Sequence, residues 1–187
     1  LVDNIVFMKD HFPLTWEGYR ASEHEMDDSW LEQIPTKLDN WPTLCVNREN
    51  RSYYLHSRYD PQREAQAITD SIDAGGYDHV VFYGIGLGYH IQTLLDKYPQ
   101  LSFSIYEPVP EVFTAYLSHI DLKSLPQRRL HEIAVETSSQ DAQAFLQRTV
   151  AQIQSKILFV DLPSYRNAFP EQHQSFIKLF EEIVSNR

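Results

Sequence analysis

The sequence predicts an α/β protein: a Rossmann-like parallel sheet with helices on both faces, preceded by a small helical cap and a β-hairpin. Three observations predict it. From residue 80 onward, apolar runs of strand length alternate with segments whose apolar residues recur at helical spacing. A G-x-G-x-G motif, Gly84, Gly86 and Gly88, falls at the first of these strand-to-helix junctions. The composition, 42% hydrophobic and 13% aromatic over 187 residues, is that of a chain able to bury one core.

Residues 1–42 carry helix-compatible pieces at 2–7 and 29–34, interrupted by Pro13, Gly18, Pro35 and Pro42, and read as an irregular helical cap. Residues 43–187 form the second unit, a hairpin plus the Rossmann-like domain, the two making one compact body. The hairpin is expected from alternating runs at 44–46 and 53–55 around a polar loop, residues 47–51. Asp60-Pro61 reads as an N-cap followed by proline in the first helical turn, with Ala65, Ile68 and Ile72 on one face and an end at Gly75-Gly76. Strand 80–83 then leads to a helix through Leu87, Ile91, Leu94 and Leu95, and strand 103–106 to one through Phe113, Tyr116, Leu117 and Ile120. Strand 130–135 precedes a helix capped by Ser139, and strand 157–160 precedes a helix with Phe176, Phe180 and Ile183 on its buried face. Strands and helices alternating at this spacing imply a parallel sheet.

Bulk properties exclude several functions. With 16 Lys and Arg against 26 Asp and Glu the formal net charge is -10, which repels nucleic acid and anionic membrane. The eight histidines show neither helical i, i+4 pairing nor clustering with cysteine, so no metal site is expected. The single cysteine, Cys45, sits in a strand-like run as a buried thiol and cannot form an internal disulfide. Lacking a signal-peptide pattern and an apolar stretch of about 20 residues, the chain is expected in the cytoplasm. It begins at Leu1 and ends in helical pattern at Arg187, as a fragment of a longer chain would.

Glycines in the turn after the first strand allow positive φ and close approach of a ligand, and the following helix offers free N–H groups. Glu107 ends the second strand 23 residues after Gly84, where nucleotide-binding Rossmann folds keep an acid for ribose hydroxyls. Asp161 and Tyr165 follow the fourth strand and would face the same crevice. Gly84, Gly86, Gly88, Glu107 and Asp161 are therefore the candidate cofactor-binding residues, for a nucleotide or nucleotide sugar. The opposing account has the glycines permitting tight packing and the acids satisfying local backbone. His56, Tyr59 and Asp60 form a second candidate site between hairpin and helix. There the structural alternative is a carbonyl-bonded histidine, a tyrosine packed in the core and a helix cap.

The stretch Leu55-His56-Ser57-Arg58-Tyr59-Asp60-Pro61, then Tyr83-Gly84-Ile85-Gly86-Leu87-Gly88-Tyr89, then Glu107-Pro108 resembles the motility-associated factor (Maf) family, over roughly residues 43–120. The resemblance implies the N-terminal domain of a flagellin glycosyltransferase, which transfers a nonulosonic, sialic-acid-like sugar from its CMP-activated form to Ser or Thr of flagellin. It further implies that the chemistry belongs to a downstream domain, that no catalytic residue lies in this chain, and that flagellin and that domain are its partners.

Two rival functions fit less well. A class I methyltransferase would place S-adenosylmethionine on the glycine turn, but Phe82 stands where that class keeps an acid, and Asp161-Leu162-Pro163-Ser164-Tyr165 carries one proline where its amino-methylating members carry two. A nicotinamide dehydrogenase would need a glycine where Tyr89 stands. A third reading is a docking or scaffold module without cofactor, its partner surface drawn from Phe12, Trp16, Tyr19, Trp30 and Trp41.

Overall fold

The computed structural model describes residues 1–187. Four parallel strands, β4 (His79–Tyr83), β5 (Ser102–Glu107), β6 (Leu130–Val135) and β7 (Ile157–Asp161), lie in the order β6-β5-β4-β7. Counted among themselves the strands run 3-2-1-4, the arrangement of a Rossmann half with its crossover point between β4 and β7. The helices between them are α4 (Tyr89–Lys97), α5 (Pro110–His119) and α6 (Asp141–Gln152). After β7 come the short α7 (Tyr165–Ala168) and α8 (Pro170–Phe180).

Alternation along the strands feeds two separate cores. Val80 and Phe82 of β4, with Phe103 and Ile105 of β5, face Ile91, Leu94 and Leu95 of α4 and Phe113 and Leu117 of α5. The other face carries Val81, Tyr83 and Tyr106 against Phe145 of α6 and Phe176 and Phe180 of α8. Helices therefore cover both faces, as the near-continuous apolar strands require.

Two helices at the N-terminus, α1 (Val2–His11) and α2 (Pro13–Ser22), join the first of these cores through Phe7, Met8, Trp16 and Tyr19. Buried Asn4 fastens them: its amide donates to the carbonyls of Leu117 and Ile120 and its Oδ1 accepts from Leu122 N at 2.9 Å. One side chain thus takes up carbonyls left over at the end of α5. Gly18 does not interrupt α2. Nor is 29–34 helical: it supplies β1 (Leu31–Ile34), antiparallel to β2 (Thr43–Arg48), which pairs with β3 (Arg51–Tyr54). The expected hairpin is the second half of a three-stranded sheet. The loop drawn at 47–51 contracts to the two-residue turn Glu49-Asn50, both at positive φ, which matches the twist of paired strands.

Other differences are local. Helix α3 (Pro61–Asp70) stops short of Gly75-Gly76. Ser139 caps nothing at α6; Asp141 folds back to accept from Thr137 N at 2.7 Å and Ser138 N at 3.0 Å. Trp16 and Tyr19 of the aromatic head are buried, and Phe12, Trp30 and Trp41 pack against the two cores. Cys45 is a buried free thiol. No helix is long and apolar enough to cross a membrane.

Phe176 is the centre of the second core, with ring centroids 4.5 Å from Tyr83, 4.9 Å from Tyr106, 6.0 Å from Phe159 and 6.5 Å from Phe145. Replacing it by alanine should cost about 3–5 kcal/mol, the range for deleting a buried aromatic, read as a shift of the urea unfolding midpoint. A loss below about 1 kcal/mol would mean that α8 does not hold this face.

Candidate functional site

The glycine turn joins β4 to α4, and its three glycines have φ of +83° (Gly84), +53° (Gly86) and +82° (Gly88). That left-handed backbone rolls successive N–H groups toward one side, the geometry that in other Rossmann folds receives a phosphate. Here every amide from 84 to 88 is bonded within the chain. Gly84 N continues the sheet ladder to Tyr106 O at 2.9 Å, and Gly88 N turns back to Ile85 O at 2.8 Å. The three between them go to side chains. Ile85 N donates to Glu107 Oε1 at 2.7 Å, Gly86 N to the Tyr165 hydroxyl at 3.1 Å, and Leu87 N to His56 Nε2 at 2.8 Å.

These groups form one buried plug. The Tyr165 hydroxyl donates to Glu107 Oε1 at 2.6 Å while Glu107 Oε2 accepts from Val109 N at 2.9 Å, so the carboxyl group meets three donors. Glu107 has no exposed surface. Burial pushes its carboxyl up to about 8, against the pull of Tyr165, Ile85 and Val109. Burial and the neighbouring Glu107 push the Tyr165 phenol well above its ordinary range, which keeps its proton available for donation. His56 is held well below the usual imidazole range by burial and then by His90 and His119, and a neutral ring is what an acceptor Nε2 requires.

Close packing explains the glycines. A Cβ on Gly86 would sit 2.5 Å from His56 Nε2 and 2.8 Å from Leu162 Cδ2; one on Gly84 would meet the Tyr165 ring at 3.0 Å; one on Gly88 would meet Tyr116 Cε2 at 2.7 Å. Side chains of the chain itself thus occupy the space that glycines leave for a ligand elsewhere.

Local sequence places each member of the plug. His56 leaves β3 with its backbone N–H on Thr43 Oγ1 at 2.9 Å, and the same hydroxyl donates to His56 O at 2.9 Å. Its Nδ1 lies 3.9 Å from Glu64 Oε1, which accepts from Ser57 N at 3.0 Å. Ser164 Oγ donates to Leu55 O at 2.8 Å, tying the small sheet to the β7–α7 turn that carries Tyr165.

The structure therefore brings together His56, Gly84, Gly86, Glu107 and Tyr165, with Gly88 at the margin. It leaves the other candidates outside. Asp161 accepts from Arg166 Nε at 2.8 Å and Nη2 at 3.0 Å and from His173 Nε2 at 2.7 Å. Burial works to raise that carboxyl, and these bonds outweigh it, so it titrates below the usual carboxylate range. Asp60 caps α3 by accepting from Arg63 N at 2.9 Å. Tyr59 is 60% exposed, under Lys37 Nζ at 4.7 Å from its ring centroid, and does not pack in the core. The sequence places Tyr165 at this crevice but does not mark it as the partner of the Gly86 amide, and it sets His56 in a separate site, since neither an aromatic after a strand nor a histidine before a helix shows which amide it will meet.

Fold and site define a class: a Rossmann-like domain whose glycine turn is sealed by histidine, tyrosine and glutamate from three other segments. Residues 9–176 match the family described as the glycosyltransferase Maf N-terminal domain, and the chain belongs to that family. It is also 31% identical over 135 residues to an uncharacterized protein of Treponema pallidum (strain Nichols), a match covering 66% of this chain and 44% of that protein.

Two expectations follow. Gly86→Ala combines a positive φ with the His56 clash, whereas Gly76→Ala, at φ +83° with nothing within 4 Å, has the backbone strain alone. Gly86→Ala should destabilise by about 3 kcal/mol or more and Gly76→Ala by about 1–2 kcal/mol in urea unfolding; equal losses would remove the packing argument. The second concerns pH. A histidine whose folded pKa is depressed contributes stability that is complete above about 6.5 and is lost as pH falls toward the folded value, at about 1.4 kcal/mol per pH unit. Between pH 6 and 5 the native chain should therefore lose more stability than His56→Gln, by up to about 1.2 kcal/mol, and parallel losses would show that His56 is not buried neutral.

Proposed function

We propose that this domain is the non-catalytic N-terminal platform of a flagellin glycosyltransferase, and that it positions flagellin and a downstream transferase domain without binding a cofactor itself. In this reading the downstream domain moves a nonulosonic sugar from a CMP-activated donor to Ser or Thr of flagellin. One observation carries the proposal: the three turn amides that would receive a phosphate already donate to Glu107, Tyr165 and His56. Opening the turn would strand these groups, and each buried polar group left without a partner costs about 1–3 kcal/mol.

Charge supports the same reading. The cavity beside Pro108 and Pro110 is bordered by Glu49 and Glu111 with Arg48 as its one cation. Its neighbour across Pro108 is bordered by Glu25, Glu111 and Glu136 with no cation. The carboxyl edge of the sheet around the β5–α5 loop, where Rossmann folds hold the ribose, is thus acidic, and an anionic nucleotide would meet repulsion there. The methyltransferase reading loses ground for the same reasons and by membership of the Maf family.

A thermal-shift titration against CMP and S-adenosylmethionine tests this. A ligand at a hundred times its dissociation constant stabilises by about 2.7 kcal/mol, which for a domain of this size raises Tm by roughly 5–10 °C. Neither compound should move Tm. A rise with CMP would place nucleotide recognition in this domain, and a rise with S-adenosylmethionine alone would restore the methyltransferase.

A further inference from the structure

A cavity of about 980 Å³ opens on the outer side of α3 and α4, beyond the plug and away from the acidic edge. Its volume lies at the upper end of the range for small-molecule sites. Trp41 and Tyr89 form an aromatic wall, ring centroids 4.8 Å apart. That wall is fixed in place. The Tyr89 hydroxyl donates to Pro42 O at 2.7 Å, the Thr36 hydroxyl donates to Trp41 O at 2.7 Å, and Asn40 turns the chain at φ +66° just before the indole.

Facing it are carboxamides at helical spacing, Gln62 and Gln66 on α3 and Gln92 on α4, with the Thr93 hydroxyl and the His119 imidazole. Gln66 Nε2 donates to Asp70 and Gln92 Nε2 to Asp96, each at 2.9 Å. Each of these bonds uses one donor of a group that has two donors and an acceptor oxygen with two lone pairs. Groups that both donate and accept match hydroxyls, which do the same, and a rigid aromatic face matches the C–H face of a pyranose ring. The charges on this wall are Asp70 and Asp96 against Lys97, which lies 3.8 Å from Asp70. This balance disfavours an anion.

We propose that this cavity binds a neutral, hydroxyl-rich ligand, a sugar ring laid against Trp41 with its hydroxyls on Gln62, Gln66 and Gln92. Such a site deepens the platform reading, since it would hold a glycan in a domain without transfer chemistry. It rests on that reading for its biological context and on the cavity for its chemistry.

The test is a ¹H–¹⁵N NMR titration of the chain with a panel of neutral sugars, including N-acetylglucosamine and galactose, and with N-acetylneuraminic acid as the anionic counterpart. The indole signal of Trp41, one of three tryptophans, is assigned from Trp41→Phe. At least one neutral sugar should move that indole and the amides of residues 62–66 and 89–93, with Kd of about 1 mM, ordinary for a ligand of this size. Gln66→Ala and Gln92→Ala, on the outer faces of their helices, should each weaken binding about fivefold or more while leaving the spectrum of the free protein in place. Silence of the groove toward every neutral sugar, shifts that persist unchanged in both glutamine variants, or tighter binding of N-acetylneuraminic acid would each overturn the proposal. The platform reading fails separately: CMP or S-adenosylmethionine would then move the signals of residues 84–87, which do not line the groove, whatever the groove does.

Discussion

The structure depends on the satisfaction of three backbone N–H groups, those of Ile85, Gly86 and Leu87, in a turn that the sheet drives into the interior. A buried amide without a partner costs more than a hydrogen bond returns, so something must meet each one. Where a Rossmann fold binds a nucleotide, the ligand helps to do this. Here the partners are Glu107 from the end of β5, Tyr165 from α7 and His56 from the segment between β3 and α3. The turn therefore couples three segments that are otherwise far apart in the chain, and the antiparallel sheet is the lid that brings one of them.

That coupling explains the placement of the small sheet. Thr43 holds His56 at both its backbone N–H and its carbonyl, Ser164 holds Leu55, and Arg48 donates to Ala168 O. The Thr43 bonds fix the histidine that reaches the turn, and the Ser164 and Arg48 contacts tie the small sheet to the segment that follows β7. The carboxyl end of the parallel sheet in an open Rossmann fold is a crevice. In this chain it is packed, with Leu44, Val46, Leu55, Leu162 and Tyr165 all in one apolar cluster. A packed and acidic end suits a platform better than a nucleotide site, and it moves the roomy, polar concavity to the outer faces of α3 and α4.

Buried histidines, in the plug and elsewhere along β4 and α4, also make the domain sensitive to pH. His90 and His79 are pulled down to about 4, with burial the first cause in each. Acidification asks these rings, with His56, to accept protons they have no room to solvate. Glu107 acts in the opposite sense, because its raised pKa favours the protonated form below about 8 and its contribution falls as pH rises from about 4.5.

By itself the sequence determined the elements that repeat: four strands, the helices after them, the Asp60 cap and the position of the glycine turn. These follow from periodicity and from local chemistry, which operate within a few residues. It also carried the family, because Leu55-His56-Ser57, the glycine turn and Glu107-Pro108 stand in order along the chain. Tertiary structure alone decided what those motifs do to one another. Nothing local to His56 specifies that its ring will meet the amide of Leu87, or that Glu107 will turn inward and not toward a ribose. Residues 31–34 show the same limit: Leu-Glu-Gln-Ile suits a helix by propensity and becomes a strand because β2 offers it an unpaired edge. Pairings over such separations are set by which buried donors remain once the sheet has formed, and a linear pattern does not record that count.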